Sequence, residues 1–394
     1  MSNLSDLLIF RRVSGLDWYC QVADDAMPAR YLMARRIPVD LERPEEELPR
    51  ARAALRELEA RIREGARLPS RAAPNLVDLC VRLTRRWLQS CNFCRWNCRV
   101  DRTGGPKHGT CQLADSTRVA SYFHHTGEEL VFRGRLGSGT IFFTSCNMRC
   151  CFCQNGDIST DKENGTPVTA AHLAAMAWQL RREGCHNVNW VGGDPTIHLH
   201  TIVEAISLLE ADLPRPAKRA SDWLAVYPVQ DGTGLYAGEA NVPMLWNSNF
   251  FMSAQAMDVL EVLMDVWLPD FKFGPGPCAV KLARTPWYWE TVTGNLQRVH
   301  ARGDGMVIRH LVMPGHLECC TLPVMRWVKE RLPGVPFNLM DQFHPDNLCD
   351  PRRPAYQEKY SSLARRVTSQ EMVQAERWAD ELGLEWRAVS QERR

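Results

Sequence analysis

Six short runs rich in β-branched and aromatic residues, GTIFFTS, NVNWVGG, PMLWNSN, DVWLPDFKF, MVIRHLVMP and PFNLMDQF, recur from about residue 138 onward, with helical stretches between them. Two parallel strands in one sheet need a connection long enough to cross back over it. The segment AAHLAAMAWQLRREG, capped by Thr169 and stopped at Gly184, has that length. The repeat predicts an α/β fold on a parallel sheet, either open or curled toward a barrel. In both forms functional groups collect where strands end, and the unusual residues of this chain sit there.

Around this body lie simpler elements. Residues 45–65 (EEELPRARAALRELEARIREG) put Leu48, Leu55, Leu58 and Ile62 on one stripe with Gly65 as a stop, which predicts an amphipathic helix packed on the main body. Thr368 and Glu371 make a capping box for SQEMVQAERWADELG, whose Met372, Ala375, Trp378 and Leu382 share a face. The passage 211–240 fits no clean crossover. The expected division is a helical N-terminal extension (1–68), a cysteine-rich metal or cluster lobe (69–125), the main body (126–350) and a C-terminal helical segment (351–394).

At 394 residues and 45% apolar content the chain can bury a full core, which excludes disorder as its main state. Its 48 Lys and Arg against 46 Asp and Glu leave a net charge of +2, with no global pull toward nucleic acid or anionic membrane. No basic, aromatic-studded surface is legible, so no nucleic-acid partner is expected. The start MSNLSDLLIFRRVSG lacks a basic stretch followed by an apolar run, and no window approaches the ~20 apolar residues that cross a bilayer. The expectation is a soluble, cytoplasmic protein without a membrane partner. Its fifteen cysteines bunch into short segments of a large chain, which favours metal or cluster ligation over disulfides.

The segment FFTSCNMRCCFCQNGDIS carries Cys146-x3-Cys150-x2-Cys153, with Cys151 left over, in the loop after the first strand. A cubane iron-sulfur cluster takes four ligands, so three thiolates leave one iron open to a non-protein ligand. A structural zinc, or an electron-transfer cluster borrowing Cys151 or a distant cysteine, fits the three cysteines alone as well. Upstream, Cys91-x2-Cys94-x3-Cys98-x12-Cys111 is a complete four-thiolate set suited to zinc or to an auxiliary cluster, with His108 or Cys80 able to replace one ligand. Cys319 and Cys320 in MPGHLECC follow the fifth strand, where a thiol can donate a hydrogen atom or ligate metal.

With CFCQN at 151–155, VGGDPTIHL at 191–199, LPDFKF at 268–273, IRHLVMPGH at 308–316 and MDQFHP at 340–345, the chain resembles the radical S-adenosylmethionine superfamily over about residues 138–345. Within it, the motifs look like the branch related to pyruvate formate-lyase activating enzyme. The resemblance implies a partial (β/α)6 TIM-like barrel with a cysteine-rich N-terminal lobe and a C-terminal helix. It also implies a [4Fe-4S] cluster on Cys146, Cys150 and Cys153 whose open iron chelates S-adenosylmethionine. It assigns the Gly192–Gly193–Asp194 loop to the methionine amino group, although the family commonly writes Glu where Asp194 stands. By the same resemblance Lys272 lies near the cofactor carboxylate. Arg309 is a second strand-end cation suited to acidic groups, and Asn155, Asn247, Asp270 and His344 match polar positions near the cofactor.

The activity so implied is reductive cleavage of S-adenosylmethionine to a 5′-deoxyadenosyl radical that takes hydrogen from a protein substrate, with glycyl radical formation as its specific form. The same motifs permit a peptide or small-metabolite substrate. A non-enzymatic iron-sulfur or zinc module is the third reading, and it leaves the strand-end motifs unexplained. An electron donor such as flavodoxin or ferredoxin is the expected redox partner.

Overall fold

The computed structural model describes residues 13–214 and 234–390; most of the unassigned passage 211–240, and most of the N-terminal stretch read for a leader, lie outside the described residues. The strands are β1 Thr117–His125, β2 Ser138–Phe143, β3 Thr166–Val168, β4 Val188–Gly192, β5 Leu235–Tyr236, β6 Glu239–Ala240, β7 Met244–Ser248, β8 Val266–Pro269, β9 Gly305–Met306, β10 Ile308–Leu311 and β11 Phe337–Met340. The central sheet runs β3-β1-β2-β4-β7-β8-β9. From β2 through β9 every pairing is parallel, so the chain has an α/β fold with a mostly parallel central sheet. A separate parallel pair, β10 with β11, is tied to β8 by a parallel bridge between Asp270 and Arg309.

The run MVIRHLVMP divides because its backbone changes partner midway. Val307 donates to the Trp267 carbonyl of β8, and the next N–H, on Ile308, turns the other way to the Pro336 carbonyl beside β11. The six β-rich runs thus all become strands, and Thr169 caps the helix Ala170–Arg182 through its hydroxyl, which accepts from His172 N–H at 3.2 Å.

Strand alternation sorts the core. Trp190, Trp246 and Trp267 lie in register on β4, β7 and β8 and are fully buried in the large core that the helices cover. Their alternating neighbours Leu245, Val266 and Leu268 face a second cluster built with Leu16, Tyr19, Val131 and Phe132. The helix Pro44–Arg63 buries Leu48, Leu55, Leu58 and Ile62, the stripe expected from sequence. At the other end, the Thr368–Glu371 capping box forms on the helix Ser369–Glu381.

The stretch 69–125 ends in β1, which pairs antiparallel with β2 inside the main sheet, and its helix Leu76–Trp87 packs on the helix Leu199–Ser207 of the body. The alternation in TRVASYFHH is weak, with several half-buried residues, because β1 lies near the sheet's edge and is covered less than the strands beyond it.

Candidate active site

Beyond β2 the chain turns through Ser145, whose left-handed backbone (φ +63°) costs about 1–3 kcal/mol in a non-glycine residue. Neighbours hold it there: Ser145 N–H donates to the Ile158 carbonyl and its hydroxyl to the Cys111 carbonyl, each at 2.7 Å. The following loop is clamped from two sides. Cys151 and Arg149 N–H donate to the Leu282 and Ala283 carbonyls, at 2.8 and 3.1 Å, on the helix Cys278–Ala283, and Trp96 Nε1–H donates to the Asn147 carbonyl at 2.7 Å.

This loop aims Cys146, Cys150 and Cys153 into a cleft of roughly 830 Å³, part of it open to solvent. Cys151 is turned away, buried in the core against Cys349, and does not line the cleft. Burial pushes the three facing thiols up, Cys150 to about 12 in spite of the nearby Lys272 ammonium. Any metal they bind must therefore displace protons. Polar hydrogens already point at two of the sulfurs: Met148 N–H at 3.3 Å from Cys146 Sγ and the Ser159 hydroxyl at 3.2 Å from Cys153 Sγ. Such bonds tune the potential of a cluster.

The opposite walls come from the strand ends. Gly192 and Gly193 follow β4, Asn247 closes β7, Asp270 and Lys272 follow β8, and Arg309 lies on β10; Asn155 sits beside Cys153. The two glycines are imposed by the cysteine strand itself. A Cβ on Gly192 would meet Phe143 N at 2.1 Å, and one on Gly193 would meet the Ser145 carbonyl at 1.6 Å.

Asp270 organises the charges. It pairs with Lys272 Nζ at 2.7 Å and Arg309 Nε at 3.1 Å, and Arg309 Nη1 reaches Glu128 at 3.1 Å. Burial would raise Asp270, but Arg309 and Lys272 outweigh it and hold the carboxyl below its ordinary range.

Several residues singled out from sequence lie elsewhere. Asp194 is off the cleft lining: its two oxygens accept Thr196 N–H at 3.0 Å and Asn249 N–H at 3.1 Å, which ties the end of β4 to the end of β7. Burial lifts this carboxyl to about 6. His344 is also off the lining, with Nδ1 against the Pro345 carbonyl at 3.3 Å. Cys319 and Cys320 group with Cys278 and His316 instead. Cys91, Cys94, Cys98 and Cys111 gather in the loops beside the cleft, where burial and then the neighbouring Cys111, Cys91 and Cys98 push the Cys94 thiol up.

Two participants escaped the sequence reading. Asn249 sends its amide to Cys146 Sγ at 3.7 Å and to Asn147 Oδ1 at 2.6 Å; the NSN triplet at 247–249 was its only signal. Glu128, in the loop between β1 and β2, is buried against Arg309 and accepts Asn189 Nδ2 at 2.8 Å, a contact no local pattern encodes.

The model of the radical SAM superfamily matches residues 140–328. A protein of Methanocaldococcus jannaschii described as uncharacterized is 32% identical over 319 residues, 79% of this chain and 80% of the relative. The chain belongs to the radical SAM superfamily. Among solved structures, Streptococcus suis SuiB bound to the precursor peptide SuiA aligns with a TM-score of 0.41 at 10% identity, over 62% of this chain and 46% of SuiB. SuiB bound to S-adenosylmethionine gives 0.39 at 11% identity, over 60% and 45%. The chain therefore spans less than half the length of SuiB.

Radical SAM membership brings a [4Fe-4S] cluster and S-adenosylmethionine as cofactors. The cleft suits that pair. Three thiols face it and the fourth nearby, Cys151, does not, which matches a cluster with one iron left to a small molecule. Asn247 Oδ1, on the cleft lining, is a buried acceptor without a hydrogen-bond partner among the described residues. An amino acid moiety carries the ammonium and carboxylate that such a wall can receive.

Proposed function

We propose that this chain is a radical SAM enzyme in which Cys146, Cys150 and Cys153 hold the cluster and the strand ends hold S-adenosylmethionine. The observation that carries the reading is the convergence of three thiols with the strand-end polar groups on one open cleft. When bound and reduced, the cluster supplies an electron that cleaves the sulfonium to a 5′-deoxyadenosyl radical able to take hydrogen from a substrate. The protein orients the reactants and excludes water. Lys272, kept protonated by Asp270, is the cation for the methionyl carboxylate. Asn247 Oδ1 and the backbone at Gly192–Gly193 accept from the methionyl ammonium, while Asn155 serves the ribose side. Asp194 acts through Asn249 and Thr196, by fixing the two strand ends.

We read the sheet as a partial (β/α)6 barrel and the substrate as a protein or peptide presented at the open side of the cleft, with glycyl radical formation as the specific form. The motif resemblance to the activating enzymes supports this. Cys91, Cys94, Cys98 and Cys111 form a second ligand set, in contact with the cysteine loop through the Cys111–Ser145 bond and suited to an auxiliary cluster.

The test is 5′-deoxyadenosine formation by anaerobically reconstituted protein with S-adenosylmethionine and a strong reductant. Wild type should form it and Cys150→Ala should not. A wild type that carries a reduced cluster yet forms none would overturn the reading.

A further inference from the structure

Away from the cleft, Cys278, His316, Cys319 and Cys320 bring four ligand atoms within 4.8 Å of one another. Among the described residues this is the one group of three or more such atoms at that spacing. None of the four lines the cleft. We propose that they bind a single zinc ion, as a site separate from the cofactor cleft and independent of the reading given for it.

The distances decide between one ion and a cluster. Zn–S bonds of about 2.3 Å and Zn–N bonds of about 2.0–2.1 Å at tetrahedral angles require sulfur–sulfur edges of about 3.8 Å and sulfur–nitrogen edges of about 3.5 Å. Cys278 Sγ lies 3.5 Å from Cys319 Sγ, and Cys319 Sγ lies 3.9 Å from Cys320 Sγ. His316 Nδ1 lies 3.6 Å from Cys278 Sγ and 3.3 Å from Cys319 Sγ. These match four of the six edges of a tetrahedron around one ion, and the remaining two are within 4.8 Å. A cubane puts each thiolate on a different iron and needs them further apart.

Local structure explains how ligands three and four residues apart converge. Gly315, at φ +74°, turns the chain into a single π-helical turn, Leu317–Thr321, in which Cys320 and Thr321 N–H both donate to the His316 carbonyl. That turn sets His316, Cys319 and Cys320 toward Cys278, the first residue of the helix Cys278–Ala283. Binding converts three thiols to thiolates, releases their three protons and leaves His316 neutral as the fourth ligand.

The site has a mechanical consequence. Its helix starts on Cys278 and ends with the Leu282 and Ala283 carbonyls that hold Cys151 and Arg149 in the cysteine loop. On the other side the loop bearing Lys272 packs so closely that a Cβ on Gly274 would lie 2.1 Å from the Cys319 carbonyl. The zinc is a staple that joins the loop after β8 to the turn after β10 and so braces the wall of the cleft.

Metal analysis of the full-length chain tests this. The Cys319→Ser/Cys320→Ser double variant should lose a full equivalent of zinc relative to wild type while keeping its iron, and Cys91→Ser/Cys94→Ser should keep that zinc. Unchanged zinc in the first variant, or loss of iron instead, overturns the proposal. A readout on wild type alone guards against misfolded variants: the exposed Cys319 thiol should resist iodoacetamide until a zinc chelator is added, as mapped by peptide mass spectrometry. Equal alkylation before and after chelation also overturns it.

Discussion

Asp270 and Arg309 are joined twice, by a parallel backbone bridge in which Phe271 N–H donates to the Arg309 carbonyl at 2.8 Å and by an ion pair at 3.1 Å. The first bond carries the central sheet across to β10, and the second sets the charge of the cleft. Arg309, itself half-buried, also neutralises the buried Glu128, which His125 Nδ1 faces at 3.4 Å. Its removal leaves the buried Glu128 with His125 and Asn189 but no arginine, a loss that for this half-buried pair costs less than the about 3–5 kcal/mol of a fully buried one. Arg309→Ala should therefore lower the thermal midpoint by many degrees, and Arg309→Lys should recover only part, because an ammonium cannot fork to both carboxylates. An Arg309→Ala protein that melts with wild type would show that the network contributes nothing.

Cys151 and Cys150 are adjacent and have opposite fates. Cys150 faces the cleft, and Cys151 packs against Cys349 behind it. Cys151→Ala should retain the full iron content and the visible absorbance of wild type, at a stability cost of about 1 kcal/mol for the lost packing. Cys150→Ala should lose the cluster. Iron loss in the Cys151 variant would place that thiol among the ligands.

Much of the fold was legible in the sequence because its signals are local. Thr169, Gly184 and the Thr368–Glu371 box act within a few residues of themselves, and strand periodicity is written in each run. The three cleft cysteines were legible for the same reason, since a tight loop fixes which thiols share a side. What escaped depends on long-range packing. Asp194 looks like a free acceptor until Asn249, 55 residues away, takes one of its oxygens. Glu128 reaches Arg309 across 181 residues, and Cys278 meets Cys319 across 41. The branch-point of MVIRHLVMP between two partner strands is likewise a property of the assembled sheet.

His198 gives a pH signature. Its ring is fully buried, stacked on Phe143, with Nε2 against the Thr144 carbonyl at 2.9 Å, and burial pushes it down to about 3. The unfolded chain holds a proton on this histidine below about 6.5, and the folded chain does not. The contribution is thus fully present above that value and is lost as pH falls toward about 3, by about 1.4 kcal/mol per pH unit. Urea midpoints of wild type and His198→Gln should converge as pH drops through that window. Parallel curves would mean that the imidazole is not held neutral.

Gly193 tests whether the cysteine loop depends on backbone contact. Its missing side chain lets the β4 end lie against the Ser145 carbonyl, where a Cβ would sit at 1.6 Å, and Ser145 immediately precedes Cys146. That obstacle is backbone, already fixed by the bond from Asp194 N–H to the same carbonyl at 3.0 Å, so it cannot swing aside as a side chain would. Gly193→Ala should then cost about 1–3 kcal/mol or more through overpacking. Because the displaced backbone carries Cys146, iron per chain should fall with it. Gly276 is the matched control: a Cβ there meets nothing within 4 Å, and its φ lies outside the left-handed range. Gly276→Ala should keep both the melting temperature and the iron of wild type. Normal iron retention in Gly193→Ala would mean that the loop can shift without losing its hold on the cluster, and that the geometry of Cys146 is set by Ile158 and Cys111 rather than by β4.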